Sequence, residues 1–273
     1  MTWMYALLIT IGFIVGTYGT MVGAGGGFVL MPILLLLFPK ESPELLTSIS
    51  LAVVFFNASS GSFAYSKMKR IDYKSGLIFA TAAVPGAILG SLFVKYINRD
   101  VFNIIFGLLM IAASAYLFFK PVKTYIIAGP VKDGHVTRRV IDAEENEHVY
   151  SFNGKVGIVM SILVGFISSM LGIGGGIIHV PAMINILNFP VHIATATSHF
   201  ILAIMALSGT IVHIIDGSFT MESFYKTIFL AIGVIGGAQL GARLSKKIHG
   251  KWILKGLAAA LCFVGIRILI MSF

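Results

Sequence analysis

The chain has 273 residues, of which 57% are hydrophobic and 11% charged, with a formal net charge of +9 and a mean hydropathy of +0.94. This composition excludes a soluble globular domain and predicts an all-α polytopic membrane protein. Its apolar runs lack the strict alternation of barrel strands. The single cysteine, Cys262, excludes disulfides and thiolate metal sites, and we expect neither a metal nor a cofactor.

About ten hydrophobic segments follow along the chain, where a helix needs roughly 20 residues to cross a bilayer. They lie near residues 3–22, 25–38, 45–66, 74–94, 101–119, 156–171, 174–187, 193–215, 223–242 and 252–271. A polar linker at 120–154 separates a first transmembrane repeat, 1–119, from a second, 155–273. β-prone residues on both sides of its polar tip predict a small hairpin from about 136 to 152. A disordered linker is the alternative.

Two glycine motifs open the second and seventh segments, and each predicts a break followed by a short helix. The chain reads MVGAGGGFVLMP at 21–32 and MLGIGGGIIHVP at 170–181. The later parts of each half also match in order, ending in PGAILGS at 85–91 and GGAQLGA at 236–242, which are small-xxx-small packing motifs. The whole set indicates an internal duplication.

Loop charge predicts that the two repeats have inverted topology. The loop at 67–74 is basic, whereas its counterpart at 216–226 carries Asp216 and Glu222, and this bias reverses in the next pair of loops. Inversion requires an odd number of crossings per half, and five satisfies it with the linker in the cytoplasm. The alternative treats 25–38 and 174–187 as re-entrant hairpins, which leaves four crossings per half.

The glycine motifs predict a substrate site, because a helix that starts inside the membrane exposes N–H groups without an acceptor. Such N-termini carry partial positive charge and attract anions. We therefore expect Gly25, Gly26 and Gly27, with Gly174, Gly175 and Gly176, to bind an anion near the midplane. The alternative is that these glycines only permit tight helix crossing.

The acidic residues favour an anion over a cation, because every Asp and Glu falls in a loop or at a segment end. Among the polar residues left inside the spans, Ser50, Asn57, Ser198 and His199 are the further substrate-binding candidates. His199 is suited to donate to an anion or to carry a coupled proton. His179 is the second coupling candidate.

The chain resembles the sulfite exporter TauE/SafE family of bacterial and archaeal membrane proteins. The resemblance rests on GAGGGFVLMP, GIGGGIIHVP, ATATSH and GAQLGARLSKK, and it covers nearly the whole chain. It implies a secondary transporter in the cytoplasmic (inner) membrane of a prokaryote, exporting sulfite or another small organosulfur anion such as a sulfonate.

The partners expected on this interpretation are the small anion, the lipid bilayer and a coupling proton or ion, and not nucleic acid. The symmetry is imperfect: His179 aligns with Leu30, and His199 aligns with Leu51. The second half is therefore expected to carry more of the substrate-specific chemistry. A membrane-embedded enzyme that acts on a lipid-like substrate is the alternative function, although no acidic or nucleophile-and-base cluster is visible in the sequence.

Overall fold

The computed structural model describes residues 2–119, 134–245 and 250–270, and within them it contains ten helices and one two-stranded sheet. The helices are α1 (Thr2–Val22), α2 (Gly27–Leu37), α3 (Pro43–Lys67), α4 (Tyr73–Phe93), α5 (Arg99–Phe119), α6 (Gly154–Leu171), α7 (Gly176–Asn185), α8 (Val191–Ile215), α9 (Met221–Ser245) and α10 (Gly250–Ile270). A short 3-10 turn, Val94–Tyr96, follows α4, and the strands are β1 (His135–Ile141) and β2 (Glu147–Asn153). The prediction of an all-α polytopic membrane protein with about ten apolar segments is confirmed.

Helix length separates two of the ten segments from the others. Among the described residues, seven helices are long and apolar enough to cross a membrane, namely α1, α3, α4, α5, α6, α8 and α9. The helices α2 and α7 have 11 and 10 residues, so at about 1.5 Å per residue each covers roughly half of a ~30 Å hydrocarbon core. Neither of these two helices is therefore long enough to cross the membrane by itself.

The first helix of each half packs along the fourth helix of the other half. Helix α1 lies along α9 and α6 lies along α4. Gly12 and Gly16 of α1 contact Leu230 and Val234 of α9 in the same order along both helices, so this pair is parallel. The α4–α6 pair is parallel by the same criterion. Both pairs approach closely through glycines, including those of the predicted small-xxx-small motifs.

The inner helices show that equivalent elements run in opposite directions. In the α3–α8 pair, Leu51 contacts Gly209 while Gly61 contacts His199, so the order reverses and the pair is antiparallel. Helices α5 and α10 are also antiparallel. Helix α3 is parallel to α9, because Ser60 meets Gln239 and the later Tyr65 clusters with Ala242. Since α8 is likewise parallel to α4, helices α1, α3 and α9 point one way and α6, α8 and α4 the other. These are the directions that an inverted repeat requires.

The loops define two faces of the bundle. The hairpin face carries the 68–72 loop and the β-hairpin. The opposite face carries the loops after α2, α4 and α8, where Lys95 Nζ lies 3.3 Å from Asp216 Oδ1. Arg99 donates to carbonyls at the C-terminal end of α2, including Leu35 O at 2.9 Å, and so fixes that end at the opposite face. Helix α2 therefore returns to the face where α1 begins, which preserves the alternation of the ten-segment scheme.

The predicted hairpin is present and is anchored to the α3–α4 loop. Tyr150 donates from its hydroxyl to Asp72 Oδ2 at 2.7 Å, and the Ala143 N–H donates to Met68 O at 3.0 Å. A disordered linker is therefore wrong for 135–153, while residues 120–133 of the linker lie outside the described residues.

A buried carboxylate, Asp142, organises the turn between the two strands. It accepts from the backbone N–H and the side-chain amide of Asn146, and it lies 3.4 Å from His148 Nε2 and 3.9 Å from Arg70 Nε. Burial by itself raises the pKa of this carboxyl, but the hydrogen bonds and the Arg70 charge outweigh it, so the pKa lies below its ordinary value. The hairpin is thus held by a charged group that is only 3% exposed.

Candidate functional site

The glycine motifs turn the chain through backbone conformations that other residues rarely adopt. Gly26 and Gly175 precede α2 and α7 with φ of 78° and 81°, both in the left-handed region. Gly25 and Gly174 also have positive φ, at 72° and 79°. A residue that carries a Cβ atom is sterically strained in this region. The backbone thus requires glycine at these four positions, whatever they bind.

The first residues of α2 and α7 are glycines for a different reason, since the two motifs pack directly against each other. A Cβ on Gly27 would lie 2.7 Å from Ile173 O, and one on Gly176 would lie 2.9 Å from the carbonyl carbon of Ala24. Neither distance leaves room for a side chain. Tight crossing therefore accounts for Gly27 and Gly176, and it brings the two helix N-termini together.

Both N-termini leave buried N–H groups without an acceptor. Within the described residues, no hydrogen bond is made by the backbone N–H groups of Gly26, Gly27 and Phe28 or of Gly175, Gly176 and Ile177. All six residues are buried. Buried N–H groups without a partner are rare in native structures. Six of them at two converging helix N-termini form a concentrated set of unpaired donors at the positive ends of two helix dipoles.

The motifs lie near the middle of the bundle. Gly25 and Gly174 both pack against Val54, which is close to the midpoint of α3, and Gly25 also packs against Leu202, close to the midpoint of α8. Val54 and Leu202 occupy equivalent positions in the two halves and are buried. We call this pair the Val54–Leu202 cover, because it closes over the first glycine of each run.

Ser50 and Ser198 reach the glycine motif of the other half. The Ser50 hydroxyl donates to Gly172 O at 2.5 Å, and the Ser198 hydroxyl donates to Gly23 O at 3.3 Å. The structure therefore brings both predicted serines to the site. Each hydroxyl proton is used by a carbonyl, so these side chains position the motifs and retain only acceptor capacity.

Asn57 and His199 meet through Thr20, which the sequence reasoning did not select. Thr20 Oγ1 lies 3.1 Å from Asn57 Oδ1 and 3.2 Å from His199 Nε2, and the Tyr65 hydroxyl donates to Thr20 O at 2.8 Å. We call these four residues the hairpin-side network. Thr20 directly precedes the first motif at 21–32, and this proximity is the only sequence signal that would have indicated it.

The hydrogen bonds of this network assign its donors. Because Thr20 Oγ1 donates to Asn57 Oδ1, it accepts from His199 Nε2, which fixes the proton on that nitrogen. His199 Nδ1 and Asn57 Nδ2 have no partner within the described part of the chain, and both residues are buried. His199 therefore has one ring nitrogen available to gain a proton.

His179 is placed differently. Its Nε2 lies 3.2 Å from Ser161 Oγ, and that hydroxyl donates to Gly157 O at 2.7 Å. Nε2 therefore carries the proton and donates to Ser161. The ring also meets Phe79 edge to face. His179 thus contacts α6 and α4 and is not part of the hairpin-side network.

The charge distribution around the motifs excludes a carboxylate cage. Every acidic residue that the structure describes lies in a loop, a helix cap, the hairpin or the first turn of a helix. In the same residues, no group of three His, Cys, Asp or Glu side chains is placed to hold a metal ion. The donors at the glycine motifs therefore face no competing negative side chain.

Comparisons with known proteins agree with this architecture. Residues 8–268 match the family described as sulfite exporter TauE/SafE. The chain is 33% identical over 273 residues to the probable membrane transporter protein YunE of Bacillus subtilis (strain 168), covering 97% of each chain. It is 28% identical over 275 residues to a probable membrane transporter protein of Methanocaldococcus jannaschii, covering 97% of this chain and 95% of that one. No solved structure matches the chain.

Proposed function

Since the chain belongs to the sulfite exporter TauE/SafE family of membrane transporters, we propose that it is a secondary transporter of a small anion. The proposed substrate class is sulfite or an organosulfur anion such as a sulfonate. The substrate binds near the midplane, at the N-termini of α2 and α7, and crosses the inner membrane of a prokaryote by alternating access.

The observation that carries this proposal is the set of six buried N–H groups without acceptors at the two motifs. A hydrogen bond to a charged group contributes about 1.5–3 kcal/mol, so a few of these donors can offset much of the cost of desolvating a small anion. A sulfite or sulfonate group presents three oxygens, which suits donors that converge from two helices. The two helix dipoles add favourable charge at the same point.

Alternating access is supported by the arrangement of the halves. Equivalent helices run in opposite directions, and the two motifs cross at Gly27 and Gly176 without intervening side chains. Such a crossing allows one half to rock against the other about a fixed site. The Val54–Leu202 cover then has to separate when the anion enters, because both side chains pack on the glycines that bind it.

The coupling step is assigned to His199. Its Nδ1 has no partner within the described residues, while Nε2 is held by Thr20. Protonation of Nδ1 would add a positive charge near the anion, which provides a physical basis for moving a proton together with it. His179 already donates to Ser161 and is the weaker of the two candidates.

The hairpin face is assigned to the cytoplasm. It carries Lys69 and Arg70 in the 68–72 loop, with Lys67 and Lys74 at the adjoining helix ends, and the positive-inside rule places such basic loops on the cytoplasmic side. The opposite face, with Asp216 in its α8–α9 loop, is then the outer face.

Purified protein titrated with sulfite, sulfoacetate, sulfate and carboxylates in a calorimeter tests the substrate class. We expect saturable binding of at least one sulfur oxyanion and anion flux in proteoliposomes. Binding of a cation with no binding of these anions would refute the proposal. A chemically changed product without net transport would instead support a membrane-embedded enzyme.

A further inference from the structure

Between the second glycine motif and the opposite face lies a group of buried polar side chains that the proposed site does not use. It comprises Ser91 of α4, Ser168 and Ser169 of α6, and His213 of α8, all with 0% exposure. None of their side-chain oxygen or nitrogen atoms has a hydrogen-bond partner within the described residues. We call these four residues the opposite-side group.

The opposite-side group is continuous with the glycine site at one end. A Cβ on Gly175 would lie 3.0 Å from Ser168 Oγ. A Cβ on Gly209 would lie 2.9 Å from Ser91 Oγ and 3.5 Å from Ser169 Oγ, so these two hydroxyls face the same point beside α8. The group therefore starts at the motif and extends to the interface of α4, α6 and α8.

The other end of the group approaches the opposite face. Ser91 is in the last turn of α4, and His213 is in the last turn of α8, one helical turn beyond Gly209. The loops that follow are joined by the Lys95–Asp216 ion pair at 3.3 Å. The four side chains thus cover the depth between the midplane and that face.

The repeat relates this group to the hairpin-side network on the other side of the midplane. The glycine motifs align Thr20 with Ser169, and the alignment of Ser50 with Ser198 places Tyr65 opposite His213. The hydroxyls of Thr20 and Tyr65 are both hydrogen-bonded, whereas the side chains of Ser169 and His213 have no hydrogen-bond partner in the described part of the chain. The equivalent positions therefore differ: their hydroxyls are paired in the hairpin-side network, and, within the described residues, their counterparts in the opposite-side group are unpaired.

We infer that Ser91, Ser168, Ser169 and His213 line the half-passage that opens the anion site to the opposite face, and that their unused donors bind water or the anion when it opens. The inference rests on the proposed function, because it names the route of the same anion. Buried polar groups without partners are costly. Their retention in a membrane interior is explained if a second state of the transport cycle pairs them.

The chemistry of the group fits an anionic cargo. Three hydroxyls and an imidazole supply donors, and no carboxylate is among them. The nearest acid along the chain is Asp216, which is three residues beyond His213 and is already paired with Lys95. A cation moving along this route would meet no negative charge until the ion pair at its end.

Cysteine accessibility tests the half-passage. Ser91→Cys and Ser169→Cys are made in a Cys262→Ser background and treated with a membrane-impermeant methanethiosulfonate from each side of the membrane. Asp216→Cys marks the opposite face and Ala83→Cys, which packs against α6 at Gly165, is the buried control. We expect both serine positions to react from the same side as Asp216→Cys, to be protected by sulfoacetate, and the control to stay unmodified.

Two results would overturn the inference. The first is an absence of reaction at both serine positions from that side in folded protein, or reaction only from the hairpin side. The second result concerns the Ser169→Ala variant. This substitution removes a hydroxyl that has no partner within the described residues, so the melting temperature should stay unchanged or rise. We expect its transport rate to fall at least five-fold, and an unchanged rate would contradict the inference. The side from which each cysteine reacts is measured without ligand. Failure of the unmodified protein to bind the anion would therefore refute the proposed function separately.

Discussion

Truncation of the Val54–Leu202 cover should tighten anion binding while it destabilises the protein. Leu202 is fully buried and packs on Gly25, where a Cβ would lie 2.5 Å from its Cδ2 atom. An anion that reaches the N–H groups has to displace this side chain. The packing of Leu202 therefore favours the closed, empty state over the bound one.

The size of the effect follows from that packing. A buried Leu→Ala change costs about 2–5 kcal/mol of stability, and Leu202→Ala removes this contribution from the closed state. The bound state loses less, because there the side chain has already moved. If only about 1 kcal/mol of the difference appears in binding, the affinity rises roughly five-fold.

Calorimetric titration of purified Leu202→Ala with sulfite measures this change, alongside Leu230→Ala as a control. Leu230 is equally buried, and its backbone lies against Gly12 of α1, away from the motifs. Both variants should lose stability, and only Leu202→Ala should bind more tightly. If Leu202→Ala binds sulfite no more tightly than Leu230→Ala does, the role of the cover is refuted.

Three further predictions concern topology, the glycines and the hairpin. A cysteine at Asp216, with the native cysteine replaced by serine, should be labelled from outside intact cells, while one at Lys69 should not; labelling of both would reject the inverted repeat. Gly26→Val should lose folded yield because its φ is 78°, whereas Gly236→Ala, whose Cβ would meet nothing closer than 3.7 Å, should fold normally. Asp142→Asn should loosen the hairpin by about 1 kcal/mol, measured as faster hydrogen exchange. Since the Asp142 pKa is lowered, the hairpin contribution is complete above the ordinary value of about 3.9 and is lost as pH falls through the lower folded value.

The sequence predicted the fold closely where the signal was local. Apolar runs predicted the ten helices, and β-prone residues around a polar tip predicted the hairpin. Loop charge predicted opposite directions for equivalent helices, because basic loops differ between faces whatever the interior packing is. Each of these features is encoded in neighbouring residues or in the composition of one loop.

Features that depend on which helices meet were not predictable from sequence. The half-length of α2 and α7 was left between two alternatives, because their apolar runs continue past the helix ends. Thr20 became visible only when α1, α3 and α8 brought it between Asn57 and His199. The opposite-side group is likewise defined by missing hydrogen bonds, which no sequence pattern records.

The roles of the predicted site residues were also refined by packing. Sequence patterns left anion binding and tight helix crossing as alternative reasons for the glycines. In the structure, Gly27 and Gly176 are required by the crossing, and the same crossing brings the N–H groups together. Ser50 and Ser198 looked like substrate ligands, and their protons are held by backbone carbonyls. Within the described residues, the atoms that stay unpaired at the motifs are the backbone N–H groups, together with His199 Nδ1 and Asn57 Nδ2.

If the backbone N–H groups of the two motifs bind the anion, isotope-labelled glycine reports the binding at those groups directly. In protein made with ¹³C-carbonyl glycine and ¹⁵N-glycine, a carbonyl-to-nitrogen correlation selects only glycines that follow another glycine. The sequence has five of these, at Gly26, Gly27, Gly175, Gly176 and Gly237. Gly237 lies inside α9 and serves as the internal control.

Solid-state nuclear magnetic resonance of this protein in lipid bilayers, titrated with sodium sulfite and sodium sulfoacetate against sodium chloride, is the most direct test. We expect saturable shifts of the four motif signals with at least one sulfur oxyanion and no shift at Gly237. Motif signals that stay fixed while the same sample binds the anion by calorimetry would contradict it.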